Sequence, residues 1–112
     1  MESKQLGPGF AAEILGVDLS AAMSDGDFDA IKKVWLENKV TVFRDQELSD
    51  NELKRFTERF GPLFVHVRSQ FNDKTRPGIM LISNIKENGR DLGELGNGDL
   101  AWHSDQSYSA EP

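Results

Sequence analysis

The chain has 112 residues, no cysteine and a formal charge of -6 from 13 basic and 19 acidic side chains. That balance argues against a nucleic-acid or anionic-membrane surface, and the missing thiols exclude disulfides and thiolate metal sites while fitting a reducing compartment such as the cytoplasm. One domain with an ordinary core is affordable at this length, yet it is short for an enzyme that must enclose a metal, a cosubstrate and a substrate.

In chain order, Gly7-Pro8-Gly9 punctuates the start, and Phe10 to Ile14 reads as a short strand that turns at Gly16. Met1 to Gln5 carries no charged leader followed by an apolar run, and no stretch approaches membrane-spanning length. Ser24 stands three residues before Asp27, and Phe28, Ile31, Val34 and Trp35 recur at helical spacing, which predicts an amphipathic helix as far as Asn38. Lys39 to Arg44 is β-branched and apolar and reads as a buried strand closed by a polar Arg44-Asp45-Gln46 turn. Ser49 with Glu52 forms a capping box, and Leu53, Phe56 and Phe60 mark the buried stripe of a second helix that Gly61-Pro62 ends.

From Leu63 the period changes to two, with Leu63, Val65 and Val67 on one face and Phe64, His66 and Arg68 on the other, as in a strand with one polar face. Gln70 to Gly78 is a polar loop. Ile79 to Ile82 reads as a buried strand, and Lys86 to Asp99, with four glycines among charges, reads as a long loop of the kind that is often functional.

Immediately after that loop stands His103-Ser104-Asp105. In an extended segment residues i and i+2 share a face, so an imidazole and a carboxylate spaced this way can close on one metal ion while Ser104 points away. Two histidines and one carboxylate on one face of an octahedral Fe(II) form the facial triad of non-haem oxygenases. Taken alone, the triplet is equally compatible with a surface histidine hydrogen-bonded to a neighbouring carboxylate. Trp102 beside it reads as a packing anchor, and Ser107-Tyr108 as a continuation of the same strand.

Trp102-His103-Ser104-Asp105-Gln106-Ser107-Tyr108 resembles the Trp-His-(Ser/Thr)-Asp-x-(Ser/Thr)-(Phe/Tyr) motif of the TauD/TfdA, or taurine dioxygenase-like, family of Fe(II)/2-oxoglutarate-dependent dioxygenases. Gly16-Val17-Asp18-Leu19, Val42-Phe43-Arg44-Asp45-Gln46, Arg59-Phe60-Gly61-Pro62-Leu63 and Ile82-Ser83-Asn84-Ile85 resemble that family's N-terminal half in the same order. The resemblance implies a mixed α/β start leading into an all-β double-stranded β-helix, or jelly-roll, incomplete in this chain, with residues 1–112 as the N-terminal part of a single domain. It implies a cytoplasmic enzyme that hydroxylates a small organic substrate with Fe(II), 2-oxoglutarate and dioxygen, releasing succinate and carbon dioxide.

Carried over by position, His103 and Asp105 match two iron ligands, and no other catalytic residue is implied. His66 matches a histidine facing the substrate, although a strand histidine on a solvated face is the plainer reading. Asp99 falls near the pocket, unless it points outward as most loop carboxylates do. Two departures disfavour taurine: Ser69 stands where the sulfonate-binding member has tyrosine, and Asp99 where it has asparagine. The family's distal histidine, cosubstrate arginine and threonine are expected beyond Pro112, so the isolated chain is expected to be inactive, to hold Fe(II) weakly and to self-associate through open sheet edges. The alternatives are a non-catalytic binding or assembly module derived from the family, and a homo-oligomer in which a histidine of another chain completes the site.

Overall fold

The computed structural model describes residues 1–63, 78–93, 98–105, 107 and 110. They fall in two compact units, residues 1–65 and 66–112.

The first unit is a three-stranded sheet with two helices. Strand β1 (Glu2–Gln5) pairs antiparallel with β2 (Ala12–Leu15), and β2 pairs parallel with the two-residue β3 (Thr41–Val42). A parallel pair needs a crossover, and helix α1 (Asp25–Asn38) supplies it. Strand β2 begins at Ala12 rather than Phe10 because Ala11 adopts φ 64°, which interrupts the extended backbone. Phe10 is accordingly exposed.

Helix α1 starts where the sequence predicts. The Ser24 hydroxyl accepts from the Asp27 amide at 3.1 Å, satisfying one of the helix's orphan donors. It ends at Lys39, whose left-handed backbone lets its amide donate to the Trp35 carbonyl at 2.7 Å. Asn38, the one buried polar residue in the described core, is fully engaged. Its amide donates to the Val34 carbonyl and accepts from Gln5, while its backbone carbonyl accepts from Ala11. The end of the helix is thereby stitched to the start of β2.

Ala12, Ile14, Leu19, Phe28 and Ile31 form the buried apolar core. Helix α2 (Asp50–Glu58) closes one side of it through rings in edge contact: Phe28 meets Phe60 at 4.8 Å and Phe56 at 6.4 Å, and Phe43 meets Phe56 at 5.8 Å. The predicted stripe of α2 is only partly covered, since Leu53 is 43% and Phe60 38% exposed. No residue of α2 is fully buried.

Both arms of the predicted capping box form at Ser49. Its hydroxyl accepts from the Glu52 amide, and the Glu52 carboxylate accepts from the Ser49 amide at 2.7 Å. Ser49→Ala should cost about 1 kcal/mol in urea unfolding. The Ser49 hydroxyl and amide together hold the Glu52 carboxyl below its ordinary range, and Ser20 does the same for Asp18. Carboxyls that are more acidic in the folded than in the unfolded chain stabilise above their ordinary values and lose that contribution as pH falls through the lowered ones. Glu52→Gln should therefore be less stable than the parent at neutral pH, and the gap should close on acidification, read from urea midpoints across an acid series.

Two residues predicted as parts of separate turns meet. The Gln46 side chain accepts from the Leu19 amide at 2.9 Å and donates to the carbonyls of Val17 and Arg44. From the C-cap of α2, Arg59 donates to the Met23 carbonyl at 2.7 Å, pairs with Asp25, and lies 4.5 Å over the Phe28 ring. The predicted buried strand at residues 39–44 is thus shorter and less buried than expected: only Thr41–Val42 pairs, and Val40 is 39% exposed. Asp45 at φ 55° turns the chain away immediately after it.

In the second unit the expected strand continuing past Leu63, with His66, lies outside the described residues, as does the polar loop to Pro77. The predicted buried strand at residues 79–82 is not one. Only Met80 makes an isolated bridge, and Ile82 is 64% exposed. A buried strand needs a ladder on each edge and cover on each face, and no described strand flanks this segment. The predicted loop from Lys86 contains instead a hairpin, β4 (Lys86–Glu87) with β5 (Arg90–Asp91). Asn88 and Gly89 turn it with φ 51° and 75°, as a two-residue primed turn requires. Its ladder extends through the Leu92 amide to the Ile85 carbonyl at 3.0 Å.

Gly93 follows, buried against Ser83. A Cβ there would lie 2.3 Å from the Ser83 amide nitrogen and 2.8 Å from its carbonyl oxygen. Backbone cannot yield as a side-chain tip does, so Gly93→Ala should destabilise the unit by about 1–3 kcal/mol. Faster amide exchange at Leu92, with exchange in α1 unchanged, would report it.

Candidate functional site

Residues 101–105 carry the expected metal motif, and their backbone is a bend and turn rather than the expected strand. The two side chains still converge. His103 Nε2 lies 3.3 Å from Asp105 Oδ1, and on the other side of the ring Nδ1 lies 2.8 Å from the Ala101 carbonyl oxygen. The shared face that period-two alternation predicts is reached here by the turn at Asp105 instead.

Donor types and spacing fit a hard divalent ion. Two donors about 2.1 Å from an octahedral ion and at right angles stand about 3.0 Å apart, close to the separation of the Nε2 and Oδ1 atoms. The carboxylate supplies charge and the imidazole a borderline nitrogen. The His103 side chain is 55% and the Asp105 side chain 92% exposed.

Among the described residues no third histidine, aspartate or glutamate joins the pair to make a three-ligand cluster. Asp99 is exposed and stands outside any such group. His66, expected to face the substrate, lies outside the described residues. Trp102 does not anchor the motif: it is fully exposed, as is most of Leu100. An indole packs only where apolar neighbours reach it, and the described residues provide none at this position.

The hollow in the first unit, about 200 Å³ between α2 and the Leu19–Met23 turn, is lined by apolar groups and by Arg55 and Arg59. Both guanidiniums are committed to the carbonyls of residues 20–24 and to Asp25, which makes the hollow part of the helix's seating. No helix among the described residues is long and apolar enough to cross a membrane.

The chain has counterparts among known proteins. The family model described as taurine catabolism dioxygenase TauD, TfdA family, matches residues 2–112. The chain belongs to that family.

Among curated relatives, the (S)-phenoxypropionate/alpha-ketoglutarate-dioxygenase of Sphingobium herbicidovorans is 31% identical over 88% of this chain and 33% of its own length. The alpha-ketoglutarate-dependent 2,4-dichlorophenoxyacetate dioxygenase of Cupriavidus pinatubonensis is 34% identical over 92% of this chain and 39% of its own. Of solved structures, a taurine dioxygenase from Burkholderia xenovorans superposes with TM-score 0.61 at 27% identity, over 68% of this chain and 27% of that one. AAD-2 in complex with Mn(II) and N-oxalylglycine superposes with TM-score 0.55 at 25% identity, over 56% of this chain and 23% of that one. The chain thus spans about a third of the length of the curated relatives it matches.

Two features escaped the sequence reading. Strand β1 has the charged, wholly exposed composition of a surface arm, and only its ladder with β2 reveals it. The β4–β5 hairpin carried a usable signal in Asn88-Gly89, the dipeptide most typical of a two-residue hairpin turn.

Proposed function

We propose that residues 1–112 form the N-terminal part of an Fe(II)/2-oxoglutarate-dependent dioxygenase domain whose remaining strands complete a jelly-roll, and that His103 and Asp105 are two of its three iron ligands. The observation that carries this reading is the 3.3 Å approach of His103 Nε2 to Asp105 Oδ1 within the motif of a family whose model matches residues 2–112. When bound, Fe(II) with 2-oxoglutarate supplies the oxidising power to hydroxylate an unactivated C–H bond, with succinate and carbon dioxide released. Asp105 contributes the negative charge that offsets the metal's own, and His103 a neutral donor. Together they would hold two of the ion's positions, leaving the others for a third ligand, the cosubstrate and dioxygen. The Mn(II) and N-oxalylglycine bound by AAD-2 are a metal and a 2-oxoglutarate analogue, which supports the cofactor assignment.

The substrate is a small organic molecule, and the two curated relatives named above favour an aryloxyalkanoate over a sulfonate. Ser69 and Asp99, which replace the tyrosine and asparagine of the sulfonate-binding member, speak against taurine itself. His66 and the exposed Asp99 are the residues of this chain proposed to face the substrate. The acidic charge and the cysteine-free composition fit a cytoplasmic enzyme with neither nucleic-acid nor membrane partners.

Succinate formed from 2-oxoglutarate by the complete domain with Fe(II), measured with 2,4-dichlorophenoxyacetate, (S)-2-phenoxypropionate and taurine in parallel, tests the reading. An aryloxyalkanoate should drive succinate formation faster than taurine. Equal or faster turnover with taurine would refute the substrate class, and no Fe(II)-dependent succinate with any substrate or without one would refute the activity.

A further inference from the structure

Strand β1 is the edge of its sheet, with β2 on one side and no described strand on the other, and its residues are exposed throughout. Which backbone groups face the free edge follows from the ladder. The Ala12 amide donates to the Val40 carbonyl at 2.9 Å, on the β3 side of β2. The amide and carbonyl of a strand residue point the same way and the direction alternates along the chain, so Glu13 and Leu15 bond toward β1. Their partners across the ladder are Lys4 and Glu2. Ser3 and Gln5 therefore turn their amides and carbonyls outward, where no described backbone group receives them.

We infer that the free edge of β1 docks β1 of a second copy of this chain, antiparallel and centred on Ser3. Two copies of one strand paired about a twofold axis perpendicular to the sheet run antiparallel, and outward groups meet outward groups only when the axis falls at a residue. Charge and strand length choose among the residues available. Centring on Glu2 sets glutamate against glutamate, and centring on Lys4 sets lysine against lysine, like charges directly opposed. Centring on Gln5 sets Lys4 against Leu6 and Ser3 against Gly7, residues past the end of the strand. Centring on Ser3 lets the two copies of Ser3 exchange both backbone bonds and places Glu2 of each copy opposite Lys4 of the other. These are non-hydrogen-bonded pairs, the class in which side chains stand closest.

Neither charge is claimed within the chain. Among the described residues Glu2 and Lys4 enter no ion pair, and Glu13, which faces Lys4 across the ladder, is held by Arg44 at 2.8 Å. A lysine on an edge strand ordinarily discourages stray pairing. In the Ser3 register it meets a carboxylate, so the residue that disfavours other registers favours this one. The product is a continuous sheet in the order β3-β2-β1-β1-β2-β3. Only a few residues a side take part, which places the dimer in the weak class.

The test is sedimentation velocity of the 112-residue chain from about 10 μM to 1 mM, the range of weak affinities. Expected is a concentration-dependent dimer. Glu2→Lys and Lys4→Glu, each alone, oppose like charges twice per dimer and should raise the dissociation constant about tenfold. Mixed in equal amounts, the two variants should recover the parent's association, because each lysine of one then faces a glutamate of the other. Ser3→Pro removes the outward amide at the centre without touching a bond to β2, and should abolish the dimer with helix content unchanged by circular dichroism. A parent chain still monomeric at the highest concentration, association that both single charge variants leave unchanged, a mixture no tighter than its components, or a dimer that survives Ser3→Pro would overturn the inference.

Discussion

Replacing either His103 or Asp105 with alanine in the complete domain should lower Fe(II)-dependent succinate formation by more than about a hundredfold. Removing an outer partner of a metal ligand already costs roughly 10–100-fold in affinity or activity, and these changes remove a donor itself. Both side chains are exposed, and the contacts described for them lie within residues 101–105, so the circular dichroism spectrum and the urea midpoint should be unchanged. Asp105→Asn is the sharper variant. It keeps an oxygen of nearly the same size at the same place and removes only the charge, so a comparable loss would show that charge rather than shape holds the ion. Supplying excess Fe(II) should restore part of the activity of a weakened site, whereas a variant that fails for want of substrate binding gains nothing from metal. Activity retained within about tenfold in both alanine variants would remove them from the site, given the size of the effects expected of true ligands.

The largest expected effect on stability is at Phe28. Its ring is 6% exposed, meets Phe60 and Phe56 edge-on, and carries the Arg59 guanidinium 4.5 Å over its face. Phe28→Ala removes a large buried side chain, leaves a cavity where α2 packs on α1, and deprives Arg59 of its stacking surface. About 3–5 kcal/mol should be lost in urea unfolding, a large share of the 5–15 kcal/mol that holds an ordinary domain together. Phe60→Ala should cost clearly less, because that ring is 38% exposed and is already partly solvated. Ile31→Val, which deletes one methylene at a fully buried position, should fall near 1 kcal/mol. The ranking Phe28, then Phe60, then Ile31→Val is itself the check. A Phe60 loss equal to that of Phe28 would mean that α2 is covered more fully than its exposure indicates.

What was legible in the sequence follows from how local each signal is. Both helices are announced by a serine cap three residues ahead of an acidic partner and by apolar spacing, and both caps form as expected because they involve four residues or fewer. Strands depend on partners. The apolar run at residues 79–82 has the composition of a buried strand, but composition does not supply a neighbour, and among the described residues it has no ladder. The opposite error occurs at Glu2–Gln5, where polar residues form a strand because β2 offers an edge. Gln46 and the Gly16–Leu19 segment could be noted as separate family-like stretches, while their mutual hydrogen bonds, 27 and 29 residues apart in the chain, required the fold.

The candidate site divides the same way. His103 and Asp105 were legible as a pair because the chemistry of a metal demands those donor types close together, and the spacing of two positions allows it. The geometry that brings them together was not, since the segment turns at Asp105 rather than running as a strand. The Ala101 contact was invisible for a different reason: a backbone carbonyl has no sequence signature. Trp102 has the residue type of a packing anchor, and its full exposure shows that a large apolar side chain declares what it would prefer rather than what it finds.

The most direct test of the central claim is an experimental structure of the complete domain with Mn(II) and N-oxalylglycine. Expected is one metal ion bonded to His103 Nε2 and to a carboxylate oxygen of Asp105 in adjacent positions, with the Ala101 carbonyl still on Nδ1 and the analogue on the open side. A metal ion bound elsewhere, with His103 and Asp105 still paired only to each other, would contradict it.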